Sequence, residues 1–208
     1  GMSGVMRVVN PLETPPVKHD HIDLNFGDLT VRYHDPRRFG FLVWLDESEN
    51  PYEMAEIRKL GPEPFSDDFN AKDLFASLSK VSVPIKEALL SGKHVVGVGN
   101  IYCSESLFKA GINPFVPANL LSKKRLEKLV NAVREVLEIS LQEGGSTLRD
   151  FVSAEGEKGY FTLSACVYGR EGEPCVKCGR PIKRAVQAGR ATYYCSLCQR
   201  MTRGAAQK

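Results

Sequence analysis

Hydrophobic and polar residues follow two different patterns along this chain. Up to residue 46, short apolar or alternating runs are separated by turn signals such as Gly27-Asp28, a pattern typical of antiparallel strands. The predicted strands of this β-meander are Met6–Val9, His21–Phe26, Leu29–Tyr33 and Phe39–Leu45. Because four strands bury only one face, we expect them to pack against something else rather than form a stable domain alone.

Helical signals take over after Pro64. Cap residues, a proline and closing glycines predict where each helix begins and ends. The predicted helices run from the Ser66-Asp67-Asp68 cap to about Leu78, from Pro84 to Ser91-Gly92, from Asn100 to Ala110 and from the Ser122 cap to Gly144-Gly145. Shorter helices are predicted at Met54–Lys59 and Thr147–Val152, and a glycine-rich loop at Glu155–Pro174.

Charge is distributed unevenly between the two ends of the chain. All 25 acidic residues and 20 of the 28 lysines and arginines lie in residues 1–174, so residues 175–208 hold eight basic residues and no acidic one. A basic module on a mildly acidic body favours a polyanionic partner, with nucleic acid first, although a solvated basic tail has the same composition. No run of eighteen apolar residues predicts a transmembrane helix, and the N-terminus lacks signal-peptide features.

Four of the six cysteines form two C-x2-C pairs separated by sixteen residues. They are Cys175, Cys178, Cys195 and Cys198. This spacing is typical of a zinc ribbon, in which four thiolates bind one Zn²⁺ tetrahedrally and leave no position for water, so the metal is expected to be structural. Two disulfides are the alternative, and the missing secretory signal favours zinc. Cys103 and Cys166 stand alone and are expected to be free thiols.

Three short motifs carry candidate chemistry. The sequence GVGN, ending at Asn100, precedes a predicted helix and offers amide groups to an anion, although short glycine-rich turns are common. The turn DPRRFG, residues 35–40, places two arginines beside a phenylalanine that could enter nucleic acid, or it is simply an exposed turn. Arg190 lies at a predicted hairpin tip of the cysteine module, a suitable position for a phosphate contact.

Taken in order, several short sequence motifs resemble those of the formamidopyrimidine-DNA glycosylase family. They are GMSG, DPRRFG, LGPEPFSDDF, VVGVGNIYCSE, VYGREGEPC and the terminal cysteine pairs. The resemblance covers essentially the whole chain and implies a helix–two-turns–helix element around GVGN. It also implies a DNA glycosylase and AP lyase (hydrolase and lyase) of base-excision repair, which acts on a base taken out of the stack.

The resemblance also implies roles for individual residues. The matches to the family's DNA-backbone contacts are Asn100, Arg190, Tyr168 and Arg184. The triad that fills the gap left by the flipped base matches Met2, Arg37 and Phe39, with the arginine reading the orphaned cytosine. This triad favours the 8-oxoguanine and formamidopyrimidine branch over the endonuclease VIII branch. Residues from about 155 to 169 match the loop that closes over the lesion.

The family's catalytic residues have no match in these 208 residues. Its nucleophile is an N-terminal proline amine followed by a glutamate, with a lysine further along, and all three lie upstream of GMSG. Pro11 is followed by Leu12 and is not terminal. We therefore expect the chain as given to be inactive, with no catalytic residue of its own. Either it is a fragment of a longer enzyme, or Gly1 is a tag remnant and Met2 an internal codon read as a start.

The expected fold class is α+β, with a partial N-terminal antiparallel β-sandwich, a helix–two-turns–helix domain and a C-terminal four-cysteine zinc-finger β-hairpin. The expected ranges are 1–60 for the incomplete sandwich, 61–153 for the helical domain, 154–174 for the lesion-capping loop and linker, 175–200 for the zinc finger and 201–208 for a basic tail. An incomplete sandwich exposes an apolar sheet face, which predicts dimerisation or aggregation through that face.

The expected partner is double-stranded DNA with an oxidised purine or an abasic site, and no membrane. The expected location is cytoplasmic and nucleoid-associated. Two other functions stay open: a non-catalytic damaged-DNA-binding protein derived from the family, and a protein-interaction module, because zinc ribbons also bind proteins. Replacing Arg190 by alanine separates them, because DNA binding weakens only in the DNA-binding cases.

Overall fold

The structure is a computed structural model that describes residues 4–10, 12–143 and 165–201. Its strands and helices are β1 (Val5–Val9), β2 (Asp20–Phe26), β3 (Leu29–His34), α1 (Ala71–Leu78), α2 (Ile85–Leu90), α3 (Asn100–Lys109), α4 (Lys123–Gln142), β4 (Lys183–Gln187) and β5 (Arg190–Tyr194). The chain divides into two compact units, residues 1–49 with 140–164 (the sheet unit) and residues 50–139 with 165–208 (the helical unit). Mixed helices and antiparallel strands confirm the α+β class.

The sheet unit contains an antiparallel sheet in the order β1-β3-β2. Strands β2 and β3 form a hairpin around Gly27-Asp28, where Gly27 has a φ of 68°. The prediction of a meander is wrong, because β1 pairs with β3 and not with β2. The hairpin uses one edge of β3, so its other edge remains available for the N–H and C=O groups of β1.

Two predicted elements of the first 60 residues are absent from the structure. Phe39–Leu45 forms no strand, and Trp44 within it is 90% exposed. No described strand pairs with this segment, and apolar content alone does not make a strand. The helix predicted at Met54–Lys59 is replaced by turns, and a 3-10 helix lies just before it at Pro51–Glu53, where Asn50 accepts from the Tyr52 N–H.

The larger of the two apolar clusters in the helical unit receives residues from α1, α2, α3 and α4. The main correction concerns the start of α1. The predicted Ser66-Asp67-Asp68 cap precedes the helix, whereas Asn70 caps it by accepting from the N–H groups of Lys72 and Asp73 at 3.1 and 3.0 Å. In the described part of the chain, no helix is long and apolar enough to cross a membrane.

The other three α-helices confirm the sequence prediction to within a residue or two. Helix α2 follows Pro84 and ends before Gly92, and α3 ends before Gly111; both glycines have positive φ values, of 72° and 66°. Helix α4 starts directly after Ser122, and a second 3-10 helix, Ala118–Leu120, precedes it. The predicted helix Thr147–Val152 and the loop residues 155–164 lie outside the described residues.

Candidate nucleic-acid binding site

The four paired cysteines form a compact cluster in the helical unit. All four Sγ atoms lie within 4.8 Å of one another; Cys175 and Cys198 are 3.9 Å apart, and Cys178 and Cys195 are 3.5 Å apart. A tetrahedral Zn²⁺ with Zn–S bonds of about 2.3 Å places its sulfurs about 3.8 Å apart, so the cluster fits this ion. The alternative of two disulfides is not supported, because all six cysteines are free thiols.

The chemistry of this donor set also calls for a cation. Burial, with the neighbouring thiols, raises the pKa of Cys198 to about 12. Burial also opposes ionisation of Cys195, but hydrogen bonds from the Cys198 and Leu197 N–H groups lower its pKa to about 7. A bound divalent ion stabilises all four thiolates together. The four cysteines are therefore the ligands of one structural zinc.

Gln199 attaches the zinc module to the loop between α3 and α4. Its side chain is fully buried; Nε2 donates to the Ile112 carbonyl at 2.9 Å, and Oε1 accepts from the Cys195 N–H at 2.8 Å. The Asn113 side chain returns a bond of 2.7 Å to the Gln199 carbonyl. The orientation of the zinc module against the helices is therefore fixed by hydrogen bonds as well as by packing.

The zinc module carries a hairpin whose tip lies beside the amino end of α3. Ala188 and Gly189, with φ values of 45° and 73°, make the two-residue turn between β4 and β5, so Arg190 opens β5 at the exposed tip. The Asn100 Nδ2 atom donates to the Ala191 carbonyl at 3.0 Å. Two candidate phosphate contacts, Asn100 and Arg190, are thus brought together although 90 positions separate them in the sequence.

The amino end of α3 is suited to an anion. Gly99 occupies the cap position without a side chain, and no side chain caps the first turn. Gly97 has a φ of 72°, which favours glycine in the preceding turn. Uncapped amide groups and the helix dipole both favour negative charge at this point, and the Asn100 carboxamide keeps a second N–H for a ligand.

Lys86, on α2, holds the hairpin tip through two hydrogen bonds to β5. Its side chain is fully buried, and its Nζ donates to the Ala191 carbonyl at 2.8 Å and to Thr192 Oγ1 at 2.7 Å. Burial lowers the pKa of Lys86 to about 8, and the Arg190 guanidinium acts in the same direction. Asn100 and Lys86 therefore share one carbonyl acceptor, which ties α2, α3 and β5 into a single network.

Tyr168 and Arg184 lie on the same hairpin side of the helical unit. The Tyr168 ring packs edge-on against Tyr193, with centroids 5.1 Å apart, and Tyr193 is the cross-strand partner of Arg184. Glu105, buried on α3, accepts from the N–H groups of Cys166, Val167 and Tyr168 at 2.7–2.9 Å. The position of Tyr168 is thus set by a carboxylate more than sixty residues earlier.

The remaining predicted site residues belong to the sheet unit. Arg37 and Phe39 are exposed in the turn of residues 35–40, and the Arg37 guanidinium lies 5.3 Å from the centre of the Phe39 ring. Met2, the third member of the predicted triad, lies outside the described residues. The predicted site residues are thus divided between the two units.

Comparison with known proteins decides the family. Three family models match: the formamidopyrimidine-DNA glycosylase N-terminal domain at residues 1–42, the formamidopyrimidine-DNA glycosylase H2TH domain at 60–152, and the zinc finger found in FPG and IleRS at 172–200. A formamidopyrimidine-DNA glycosylase of Acidithiobacillus ferrooxidans is 51% identical over 201 residues, which cover 96% of this chain and 73% of that protein. The chain belongs to the formamidopyrimidine-DNA glycosylase family.

Further members of the formamidopyrimidine-DNA glycosylase family are similar over the same length. The enzyme of Psychromonas ingrahamii is 46% identical, over 96% of this chain and 73% of its own. The crystal structure of MutM (Fpg) from Thermus thermophilus has a TM-score of 0.84 and 40% identity, covering 96% and 73%. Lactococcus lactis Fpg in complex with abasic-site DNA has a TM-score of 0.82 and 37% identity, covering 95% and 72%.

Within this formamidopyrimidine-DNA glycosylase fold, sequence reasoning missed the residues that support the site. Four buried residues bind backbone groups of a predicted site segment: Lys86, Glu105, Gln199 and Asp35. Their sequence neighbourhoods look ordinary. The available signal is weak: Lys86 and Glu105 each stand three residues before a buried apolar residue, Leu89 and Phe108, but exposed helix residues often have the same spacing.

Proposed function

We propose that this protein is a base-excision-repair DNA glycosylase and AP lyase of the formamidopyrimidine and 8-oxoguanine type, and that its helical unit binds damaged duplex DNA. The observation that carries the proposal is the pairing of Asn100 with the Arg190 hairpin tip at an uncapped helix end. Tyr168 and Arg184 extend the same binding surface. The basic, acid-free stretch 175–208 supplies the positive charge that a phosphate backbone requires.

The class of lesion is supported by two observations. Arg37 and Phe39 stand together and exposed, as a base-reading arginine and a wedge must. Solved complexes of Lactococcus lactis Fpg contain Fapy-dG DNA or abasic-site DNA, and that protein is 36–37% identical to this chain. We therefore propose oxidised purines and abasic sites as substrates, and association with the nucleoid, where such lesions arise.

DNA binding is tested by fluorescence anisotropy on a duplex with one tetrahydrofuran abasic-site analogue. Replacing Arg190 by alanine is expected to weaken binding by about 1–3 kcal/mol, because a charge-assisted phosphate contact is lost. If four to six phosphates are neutralised, log K falls with log salt with a slope of about −4 to −5.

The matched control is Arg180→Ala, which removes the same charge from an exposed position of the zinc module that is not at the hairpin tip. It should lower the affinity far less than Arg190→Ala. An affinity that does not depend on salt, or equal losses in both variants, would contradict a specific phosphate contact at Arg190. An unchanged DNA affinity in Arg190→Ala would instead favour the alternative of a protein-interaction module.

The catalytic proline, glutamate and lysine of the family have no match in these 208 residues, so we further propose that a polypeptide of these residues alone binds DNA but performs neither the glycosylase nor the lyase reaction. The family nucleophile is an amine. It adds to C1′ of the ring-opened abasic sugar, and the resulting carbinolamine loses water to form an imine. The duplex in this experiment carries a natural abasic site, because tetrahydrofuran has no aldehyde with which an amine can react. Borohydride reduces the imine to a stable amine, so a covalent adduct on denaturing gels reports it. Binding without an adduct supports the proposal and fits a non-catalytic damaged-DNA-binding protein. An adduct would show that an amine of these residues reaches the sugar.

The sheet unit supports one more proposal, self-association through its apolar face. Met6 and Val8 on β1 lie opposite Tyr33 and Val31 on β3, and Val8 is 53% exposed. An exposed apolar sheet face favours association. Light scattering after size-exclusion chromatography should give a concentration-dependent mass, and Val8→Lys should return it to a monomer. A monomer at all concentrations would contradict this proposal.

A further inference from the structure

The turn of residues 35–40 is held by one buried carboxylate. Asp35 is fully buried, and its Oδ2 accepts from the Gly40 N–H at 2.9 Å and from the Tyr33 hydroxyl at 3.0 Å. Its Oδ1 accepts from the Arg37 N–H at 3.3 Å. Oδ2 therefore joins Tyr33, two residues before the turn, to Gly40, which ends it. Oδ1 fixes the backbone of Arg37 in the middle of the turn.

The backbone of Asp35 is also fully used. Its N–H donates to the His19 carbonyl at 3.0 Å, and its carbonyl accepts from the Arg38 N–H at 3.3 Å and from the His21 ring at 2.9 Å. Arg38 has a φ of 56°, a conformation that residues other than glycine rarely adopt without support. Asp35 therefore stabilises a turn in which Arg38 has a backbone conformation that is unfavourable for an arginine.

Tyr33 fills the space between two glycines. A Cβ atom at Gly40 would overlap the Tyr33 hydroxyl, and a Cβ atom at Gly4 would lie 2.5 Å from the same oxygen. The hydroxyl thus packs against the end of the 35–40 turn and against the start of β1 at once. Burial, and then the bond to Asp35, raise the pKa of Tyr33, so the hydroxyl stays a donor at neutral pH.

Arg37 and Phe39 depend on this backbone for their placement. Both are exposed, and the Arg37 guanidinium lies 5.3 Å from the centre of the Phe39 ring. No ion pair of the described residues includes Arg37. The backbone of the turn sets the direction in which these two exposed side chains leave it, so the geometry of the turn decides what they can reach.

We propose that Tyr33 and Asp35 form a positioning pair that fixes the 35–40 turn, so that Arg37 can read the base opposite the lesion while Phe39 fills the stack. This inference rests on the proposed function of the chain. Tyr33 and Asp35 do not touch DNA in this scheme. They act through Arg37 and Phe39, and their loss should change base preference more than overall affinity.

The first test needs no DNA. Trypsin cleaves after Arg37 and Arg38 only when the turn opens, so cleavage rates followed by mass spectrometry report its stability. Asp35→Ala should raise cleavage at these two bonds by about tenfold relative to cleavage after Lys18 in the same unit, since two N–H bonds are lost. Tyr33→Phe should give a smaller rise in the same direction. Equal increases at all sites would mean general unfolding and overturn the specific role.

The second test measures base preference by anisotropy. Duplexes carry one tetrahydrofuran site opposite cytosine or adenine, and the ratio of the two dissociation constants is compared. A bidentate arginine contact discriminates between bases by about fivefold or more. Arg37→Ala should abolish the preference for cytosine. Asp35→Asn and Tyr33→Phe should lower it at least severalfold while the mean affinity changes much less.

Matched controls remove the same groups elsewhere. Asp28→Asn neutralises an exposed carboxylate of the sheet unit, and Tyr52→Phe removes an exposed hydroxyl; neither should alter cleavage at Arg37 or the base preference. An unchanged preference in both positioning variants, with Arg37→Ala losing it, overturns the inference. If the wild-type chain binds neither duplex, the proposed function and the base preference fail together, and trypsin still decides whether the pair holds the turn.

Discussion

At the scale of single residues, the most unusual group of the helical unit is the Lys86 ammonium. It is fully buried, has no carboxylate partner among the described residues, and is compensated by the Ala191 carbonyl and the Thr192 hydroxyl. Thr192 in turn donates to Gln187 at 3.0 Å. Burial of a charge with only neutral acceptors is costly, which is why the pKa of Lys86 is lowered to about 8.

This pKa gives the stability of the helical unit a defined pH dependence. The folded chain releases the Lys86 proton near pH 8, whereas the unfolded chain holds it to about pH 10.5, so the unfolded state binds more protons between these values. The free energy of unfolding should therefore rise with pH over this window, by about 1–3 kcal/mol relative to a Lys86→Met variant. Urea unfolding followed by helical circular dichroism at several pH values measures the difference.

The matched control is Lys93→Met, which removes an exposed lysine of the same unit. Its stability should run parallel to wild type from pH 7 to pH 10.5, so that effects common to all lysines and tyrosines cancel. A Lys86→Met curve that also runs parallel to wild type would show that Lys86 keeps its ordinary proton affinity, contrary to the burial argument.

The residues that could be predicted from sequence are those whose function follows from the spacing of nearby residues. The paired cysteines reveal the zinc site because a C-x2-C turn places two thiolates on one ion. Lys86 looks like any helix lysine in the segment PIKEALL, because its acceptors lie 105 and 106 residues away. Asp35 likewise looks like a turn aspartate, and its burial depends on contacts with Tyr33 and the backbone of His19.

At the scale of elements, helices were predicted better than strands for a physical reason. The hydrogen bonds of a helix are local, so caps such as Pro84 and Gly111 nearly determine its ends. A strand forms only beside a partner strand, and the local sequence pattern does not show which segment of the chain is that partner. The exposed segment Phe39–Leu45 has a strand-like composition but no described partner, and the order β1-β3-β2 was not visible in the run of apolar residues.

Helix α4 stabilises the segment before α1 through one arginine. Arg134 donates from Nε to the Pro64 carbonyl and from Nη2 to the Ser66 and Phe69 carbonyls, each at 2.9 Å. Replacing Arg134 by alanine should lower the free energy of unfolding by about 2–3 kcal/mol, since three carbonyls lose a charged donor. Urea unfolding of the helical unit measures this loss.

Two further variants test the geometry of that contact. Arg134→Lys keeps the charge but cannot reproduce the forked donors, so it should restore only part of the stability. Lys128→Ala removes an exposed cation from the same helix and should cost much less than Arg134→Ala. Full recovery by lysine would mean that charge alone stabilises the segment and that the three bonds are not individually important.

At the scale of the whole molecule, the helical unit has two separate apolar clusters. The larger one lies among α1, α2, α3 and α4, and the smaller one contains Phe108, Val167, Ile182 and two of the zinc ligands. A two-stranded hairpin such as β4-β5 is at best marginally stable in water by itself. The zinc cluster therefore stabilises the hairpin that presents Arg190. The larger apolar cluster is stabilised by the packing of the helices themselves.

Loss of the metal should consequently weaken DNA binding and leave the helices folded. In Cys178→Ser, or after chelation, the binding free energy of zinc no longer contributes to folding of the module. The hairpin tip then loses its fixed position, and affinity for abasic-site DNA should fall at least about tenfold, which is a loss of about 1.4 kcal/mol. The circular dichroism of the helices should be nearly unchanged, because the larger cluster contains none of the four ligands.

A thiol that is not a ligand provides the matched control for this experiment. Cys166→Ser changes a cysteine outside the four-sulfur cluster, so zinc content and DNA affinity should both stay close to wild type. Zinc released on thiol modification should fall to near zero only in Cys178→Ser. If Cys178→Ser binds DNA as tightly as wild type, phosphate binding depends on the amino end of α3 alone and not on the zinc-stabilised hairpin. If instead the helical signal collapses with the metal, the two clusters fold as one cooperative unit.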